Sequence, residues 1–90
     1  MFKLLKIKGD SMYPLLKNGQ KILCISFFSN LYENDIVVFK HKQEGLMIKK
    51  IAKIDENGYY VKGTTAFSLD SSVFGYLKKD EILYKMFFKF

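Results

Sequence analysis

Gly9-Asp10-Ser11-Met12-Tyr13-Pro14 is the stretch around which the rest of this chain is organised. It sets a small hydroxyl between a flexible glycine and a rigid proline, the way a nucleophile is presented. Gly9 reaches backbone angles closed to other residues, while Pro14 fixes its own φ and steers Tyr13 away from helix. Ser11 is therefore expected on a tight, preorganised bend. The same residues also fit an ordinary loop with a serine at a helix N-cap. The rest of the chain separates the two readings.

Outward from this bend the pattern is one of short strands. Lys3 to Lys8 partly alternates polar and apolar residues and reads as a strand delivering the chain to Gly9. Met12 to Leu16 has room for one helical turn. Lys17-Asn18-Gly19-Gln20 is a turn by composition, and Lys21 to Phe28 a strongly apolar strand. Asp35 to Lys40 is a second apolar strand, and Gln43-Glu44-Gly45 turns into a third, Leu46 to Ile54. Asp55-Glu56-Asn57-Gly58 predicts a hairpin, Asn57-Gly58 being a type I′ signal, with Tyr59 to Lys62 returning antiparallel. Thr64 to Ser72 reads as a polar loop, Val73 to Leu77 as a short strand and Glu81 to Phe87 as a terminal strand. No long amphipathic helix, repeat or linker interrupts the series. The expected fold is all-β, mainly antiparallel coiled sheets with at most short helical turns.

Length and composition bound the rest. Ninety residues make one domain, 1–90, with a modest core. A hydrophobic content of 49% with 17% aromatic excludes a disordered chain. With one cysteine, Cys24, and one histidine, His41, neither a disulfide within the chain nor a Cys/His metal cluster is expected, so no metal or other cofactor is implied. Cys24 reads as a buried inert thiol, and His41, between Lys40 and Lys42, as a solvated loop residue. The net charge is +6, and every one of the 15 basic residues is lysine. Base readout favours arginine, so no specific nucleic-acid partner is expected, only a weak attraction to anionic surfaces. No apolar run approaches a membrane span, and Met1 to Lys8 is too short and charged for a signal peptide. The expected protein is soluble, cytoplasmic or membrane-peripheral.

Four blocks carry a resemblance: Gly9-Asp10-Ser11-Met12-Tyr13-Pro14, Asp35-Ile36-Val37-Val38-Phe39, Ile48-Lys49-Lys50-Ile51 and Ser68-Leu69-Asp70-Ser71-Ser72-Val73-Phe74-Gly75. Their order and spacing, from about Ile7 to Ile82, resemble those of signal peptidase I and its relatives. That serine-lysine endopeptidase superfamily includes the LexA-like self-cleaving repressors and the proteases that mature nickel superoxide dismutase. The resemblance implies Ser11 as nucleophile, Lys49 as general base, Ser68 as the serine that orients the lysine amine, and Asp70 as an acidic residue behind the site. It departs from the pattern at Asn18-Gly19-Gln20 (Asp-Gly-Asp in relatives), Gly63-Thr64-Thr65 (Gly-Asp-Asn) and Asp70-Ser71-Ser72 (Asp-Ser-Arg). Lys50 also stands where relatives carry an arginine, so the ion network around the site is thinned.

The chemistry needs those residue types. A serine hydroxyl becomes a nucleophile only when a base takes its proton, and a lysine can do so only if an apolar setting disfavours its ammonium. On a strand, Lys49 has Met47 and Ile51 as same-face neighbours; Lys50 has Ile48 and Ala52, equally apolar, so periodicity alone leaves both open. The resemblance selects Lys49. Two lysines snorkelling to water from a basic strand are the plain alternative. The Ser11 N–H on its bend is the expected oxyanion donor. Met12, Tyr13 and Pro14 are expected to border a shallow cleft where an extended protein or peptide substrate adds as a strand. Ser11 Oγ and the Lys49 amine are expected within hydrogen-bond reach, about 2.6–3.2 Å or looser without substrate.

These readings converge on an endopeptidase that cuts a partner protein after a small residue. The absence of a DNA-binding domain and of an upstream Ala-Gly or Cys-Gly bond argues against a self-cleaving repressor-type domain. The remaining rival is a catalytically inactive basic β module that binds peptide, membrane surface or nucleic acid.

Overall fold

The computed structural model describes residues 1–26, 30–65 and 70–90. Strand β1 is Phe2–Lys6, β2 Lys21–Ile25, β3 Ile36–His41, β4 Gly45–Asp55, β5 Gly58–Lys62 and β6 Ile82–Lys89; one short helix, α1, spans Ser71–Phe74, and a 3-10 turn covers Lys79–Glu81. The strands form a single sheet in the order β1-β2-β6-β3-β4-β5, and every pairing is antiparallel. The fold is all-β, as the strand pattern predicts. No described helix is long and apolar enough to cross a membrane.

The run Ile36-Val37-Val38-Phe39 explains the architecture. It is fully buried, and because strand side chains alternate, this requires cover on both faces of the sheet. Ile36 and Val38 pack with Ile7, Met12, Leu16, Ile22 and Cys24. Val37 and Phe39 pack on the other face with Leu31, Ile51, Val61, Leu77 and Ile82. The segment that follows β1 covers the first face, and the residues around α1 cover the second.

Two local expectations are corrected. The Val73 to Leu77 segment is not a strand. Asp70 caps α1 by accepting from the Ser72 N–H at 2.9 Å, Gly75 ends it at φ +90°, and only Leu77 makes an isolated bridge, to Tyr59. Asp70-Ser71-Ser72 is a helix-start signal that hydrophobic spacing alone conceals. The β4–β5 hairpin is not type I′, because Asp55 pairs with Gly58, leaving Glu56-Asn57 at the tip, and of Asn57 and Gly58 only Gly58 has a positive φ. Asp55 Oδ1 accepts from the Asn57 N–H at 2.8 Å and closes the turn instead.

Candidate active site

Ser11 sits on a bend built from its neighbours. Gly9 turns the chain at φ +85°, and its N–H donates to Asn18 Oδ1 at 2.9 Å. The Tyr13 N–H donates to the Asp10 carbonyl at 3.0 Å, closing a four-residue turn with Ser11 in it, and the Leu16 N–H donates to the Met12 carbonyl at 2.7 Å. The Tyr13-Pro14 peptide bond is cis. Met12 and Leu16 are buried beneath the bend, whereas Tyr13 and Pro14 are exposed. The loop is thus pinned by its apolar side chains below and by hydrogen bonds at both ends.

A further anchor comes from the far side of the chain. The Ser11 carbonyl accepts from the backbone N–H of Thr64 at 2.8 Å and of Thr65 at 3.3 Å, and Thr64 Oγ1 donates to the Tyr13 carbonyl at 2.6 Å. In the sequence, Gly63-Thr64-Thr65 stands out only as a departure from Gly-Asp-Asn. The hydroxyl makes Thr64 a clamp on the serine loop, a role visible only when β5 is laid beside it.

Lys49 reaches the site through strand register. It pairs with Val37 across β3–β4, so it shares the buried face of Val37 and Ile51 and is only 3% exposed. Burial pushes its amine below the ordinary lysine value, and Asp70 opposes that shift. Lys50 pairs with Ile36 and Lys62, points to the other face and stays half-buried. The period-two pattern that left the two lysines open is resolved by the tertiary cover, which is deeper on the Lys49 face.

Ser11 and Lys49 line one cleft of about 280 Å³, with Ile7, Lys8, Met12, Glu44 and the consecutive residues Leu46-Met47-Ile48; of the expected bordering residues Met12 lines it, and Tyr13 and Pro14 do not. Among the described residues no hydrogen bond joins Ser11 Oγ to the Lys49 amine, so the direct contact expected from sequence is not made. The Ser11 N–H is likewise taken by no described acceptor. β5 pairs with β4 only from Lys50 onward. Along the cleft, therefore, β4 is paired to β3 alone among the described strands.

Of the other expected site residues, Asp70 lies within electrostatic reach of Lys49. Its carboxyl is held below the usual range by the Ser72 hydroxyl and backbone N–H first, then by Lys62 and Lys49. Ser68 lies outside the described residues. Ser71 is buried, and its Oγ accepts from the Val61 N–H at 2.9 Å, tying α1 to β5. His41 is not a solvated loop residue: it ends β3 half-buried, stacked edge-on against Phe74 at 5.6 Å. Its Nδ1 accepts from the Gln43 N–H at 3.1 Å, which closes the next turn. No group of three or more His, Cys, Asp or Glu that could hold a metal occurs among the described residues.

The profile of the Peptidase S24-like family matches residues 2–64, a span that includes both Ser11 and Lys49. No curated protein matches the chain.

Proposed function

This chain belongs to the Peptidase S24-like family, and from that premise we propose a serine endopeptidase with Ser11 as nucleophile and Lys49 as general base. Its substrate is an extended segment of another protein, cut after a small residue. The observation that carries the reading is the shared cleft: Ser11 at its rim and a buried lysine, its ammonium disfavoured by desolvation, in its wall. Lys8 and Glu44 also line the cleft, but of its two lysines only Lys49 is buried.

In this mechanism the neutral Lys49 amine takes the Ser11 proton as Oγ attacks the scissile carbonyl. The oxyanion that forms is met by the Ser11 N–H. Collapse expels the amine of the leaving chain, which takes the proton from the Lys49 ammonium, and leaves an acyl ester on Ser11. The Lys49 amine then takes a proton from water, whose oxygen attacks the ester; collapse returns that proton to Ser11 Oγ and frees the acid. The Leu46-Met47-Ile48 edge of β4 offers main-chain groups along which an extended substrate adds as a strand. Asp70 lends counter-charge when Lys49 becomes protonated.

Incubation with a library of extended peptides bearing small residues tests this, with mass spectrometry reading cleavage and an acyl adduct on the Ser11 peptide. Products that vanish in Ser11→Ala support it. Peptide binding without turnover at any pH would establish the inactive module instead.

A further inference from the structure

The face of the β1–β2–β6 end of the sheet that carries Phe2 and Leu4 has no role in the cleft. Register places Phe2 opposite Ile25, Leu4 opposite Leu23, and Leu23 in turn opposite Phe88. A bulge between Leu23 and Cys24 adds Phe87 to the same side, where its ring meets Phe2 edge-on at 6.0 Å. Phe90 stacks on Phe88 at 5.2 Å. These are large apolar side chains left in water: Phe87 is 64% exposed, and even Leu4, in mid-strand, is 55% exposed. A contiguous aromatic surface of this kind marks a docking face.

Its charges select the occupant. At one end of the patch Lys6 and Lys21 stand directly opposite each other in register, a like-charge pair that costs stability in isolation. No Asp or Glu occurs in β1, β2 or β6; of their five lysines, Lys3 and Lys89 stand opposite the buried Cys24 and Ile22 on the other face and Lys85 pairs with Asp35 at 3.2 Å, which leaves Lys6 and Lys21 as the uncompensated charges of this one. A second copy docked through the same three strands would offer Lys6 and Lys21 no acidic partner from them. Aromatic rings beside cationic side chains instead suit the boundary of an anionic bilayer, where the rings enter the headgroup layer and ammonium groups meet phosphate.

We propose that the exposed aromatic face of β1, β2 and β6, with Lys6 and Lys21 at its edge, docks the protein on anionic phospholipid membranes. This is independent of the peptidase reading, since it uses none of the cleft residues.

The test is co-sedimentation of the full chain with vesicles of phosphatidylcholine alone and of phosphatidylcholine mixed equally with phosphatidylglycerol. Binding is expected to the mixed vesicles only and to weaken as salt is raised. Lys6→Gln with Lys21→Gln should weaken partitioning about 30-fold, each lysine near an anionic surface contributing about fivefold. Phe87→Ser with Phe88→Ser should abolish it, while Lys40→Gln with Lys42→Gln, remote from the patch, should change it little. Circular dichroism checks that the variants fold; should the Phe pair fail to, the lysine pair still decides. Three results would overturn the proposal: no sedimentation with mixed vesicles at low salt; equal loss in the Lys40/Lys42 and Lys6/Lys21 variants, which reduces the effect to net charge; or a stable dimer by analytical ultracentrifugation that the Phe pair abolishes.

Discussion

The backbone N–H of Thr64 donates to the carbonyl oxygen of Ser11 at 2.8 Å, and the same residue's hydroxyl donates to the carbonyl of Tyr13 at 2.6 Å. The residue just past β5 therefore fixes the bend from outside. A threonine thus holds the serine loop by neutral hydrogen bonds.

Thr64→Val keeps the volume and the backbone N–H but removes the hydroxyl, leaving the Tyr13 carbonyl one donor short. Stability should fall by about 1 kcal/mol. Turnover should fall more than substrate affinity, because the loop is loosened and not removed, and Thr64→Ser should restore both. Kinetics on a cleaved peptide with a denaturation curve for each variant check this; an unchanged kcat would deny Thr64 its positioning role.

Ser11→Ala deletes the nucleophile yet keeps the carbonyl that Thr64 and Thr65 bind. Cleavage should be lost while stability stays within about 0.5 kcal/mol of the parent. A large destabilisation would show that the hydroxyl serves the fold.

Lys49→Met tests the cost of the buried amine. Burial lowers its folded pKa below the unfolded value, so the unfolded chain binds more protons between the two. The penalty on folding is complete below the folded pKa and disappears as pH rises to the ordinary lysine value. The substitution should abolish cleavage and raise stability at pH 7 by on the order of 1–2 kcal/mol, a gain that shrinks in alkali. Cys24 acts oppositely: desolvation raises its pKa to about 11, so stability from this group is lost as pH climbs through that region. Comparing variant with parent at each pH cancels the Cys24 contribution. Lys50→Met should retain activity. Denaturant titrations from neutral to alkaline pH decide the matter, and destabilisation at pH 7 would remove Lys49 as the base.

Gly58→Ala should cost on the order of 3 kcal/mol. Gly58 holds φ +117°, and an added Cβ would lie 2.4 Å from the Leu77 carbonyl oxygen. That oxygen is fixed, because Leu77 and Tyr59 exchange both backbone hydrogen bonds at 2.9 Å. Thermal unfolding measures the loss; a shift no larger than that of an exposed loop glycine would show that the bridge yields.

Cys24 is fully buried, with its thiol pushed up to about 11. At pH 8 a thiol reagent should label the folded chain only as fast as it opens, and immediately in denaturant. Fast labelling without denaturant would mean that the β2 face of the core is open to solvent.

The sequence by itself determined whatever is local or periodic. Four consecutive apolar residues at Ile36-Val37-Val38-Phe39 announce a strand, and a glycine, a serine and a proline in six residues announce a bend that displays a hydroxyl; that the strand is covered on both faces is known only from the fold. The strand series is set by alternation and turn residues, which act over a few positions. Tertiary structure decided what depends on partners distant in the chain. Lys49 and Lys50 have equally apolar neighbours along their strand, and only the register with Val37 and the depth of cover on that face bury one amine and leave the other half in water. Thr64 carries no local signal for its hold on Ser11, because the two are brought together by the return of β5. Val73 to Leu77 is a different case, a local signal that hydrophobic spacing conceals: Asp70 accepts from the Ser72 N–H two residues on, and the cap wins because a helix start needs an acceptor for its free N–H groups. Periodicity assigns a side chain to a face; which face becomes a cleft is settled by the elements that fold over it.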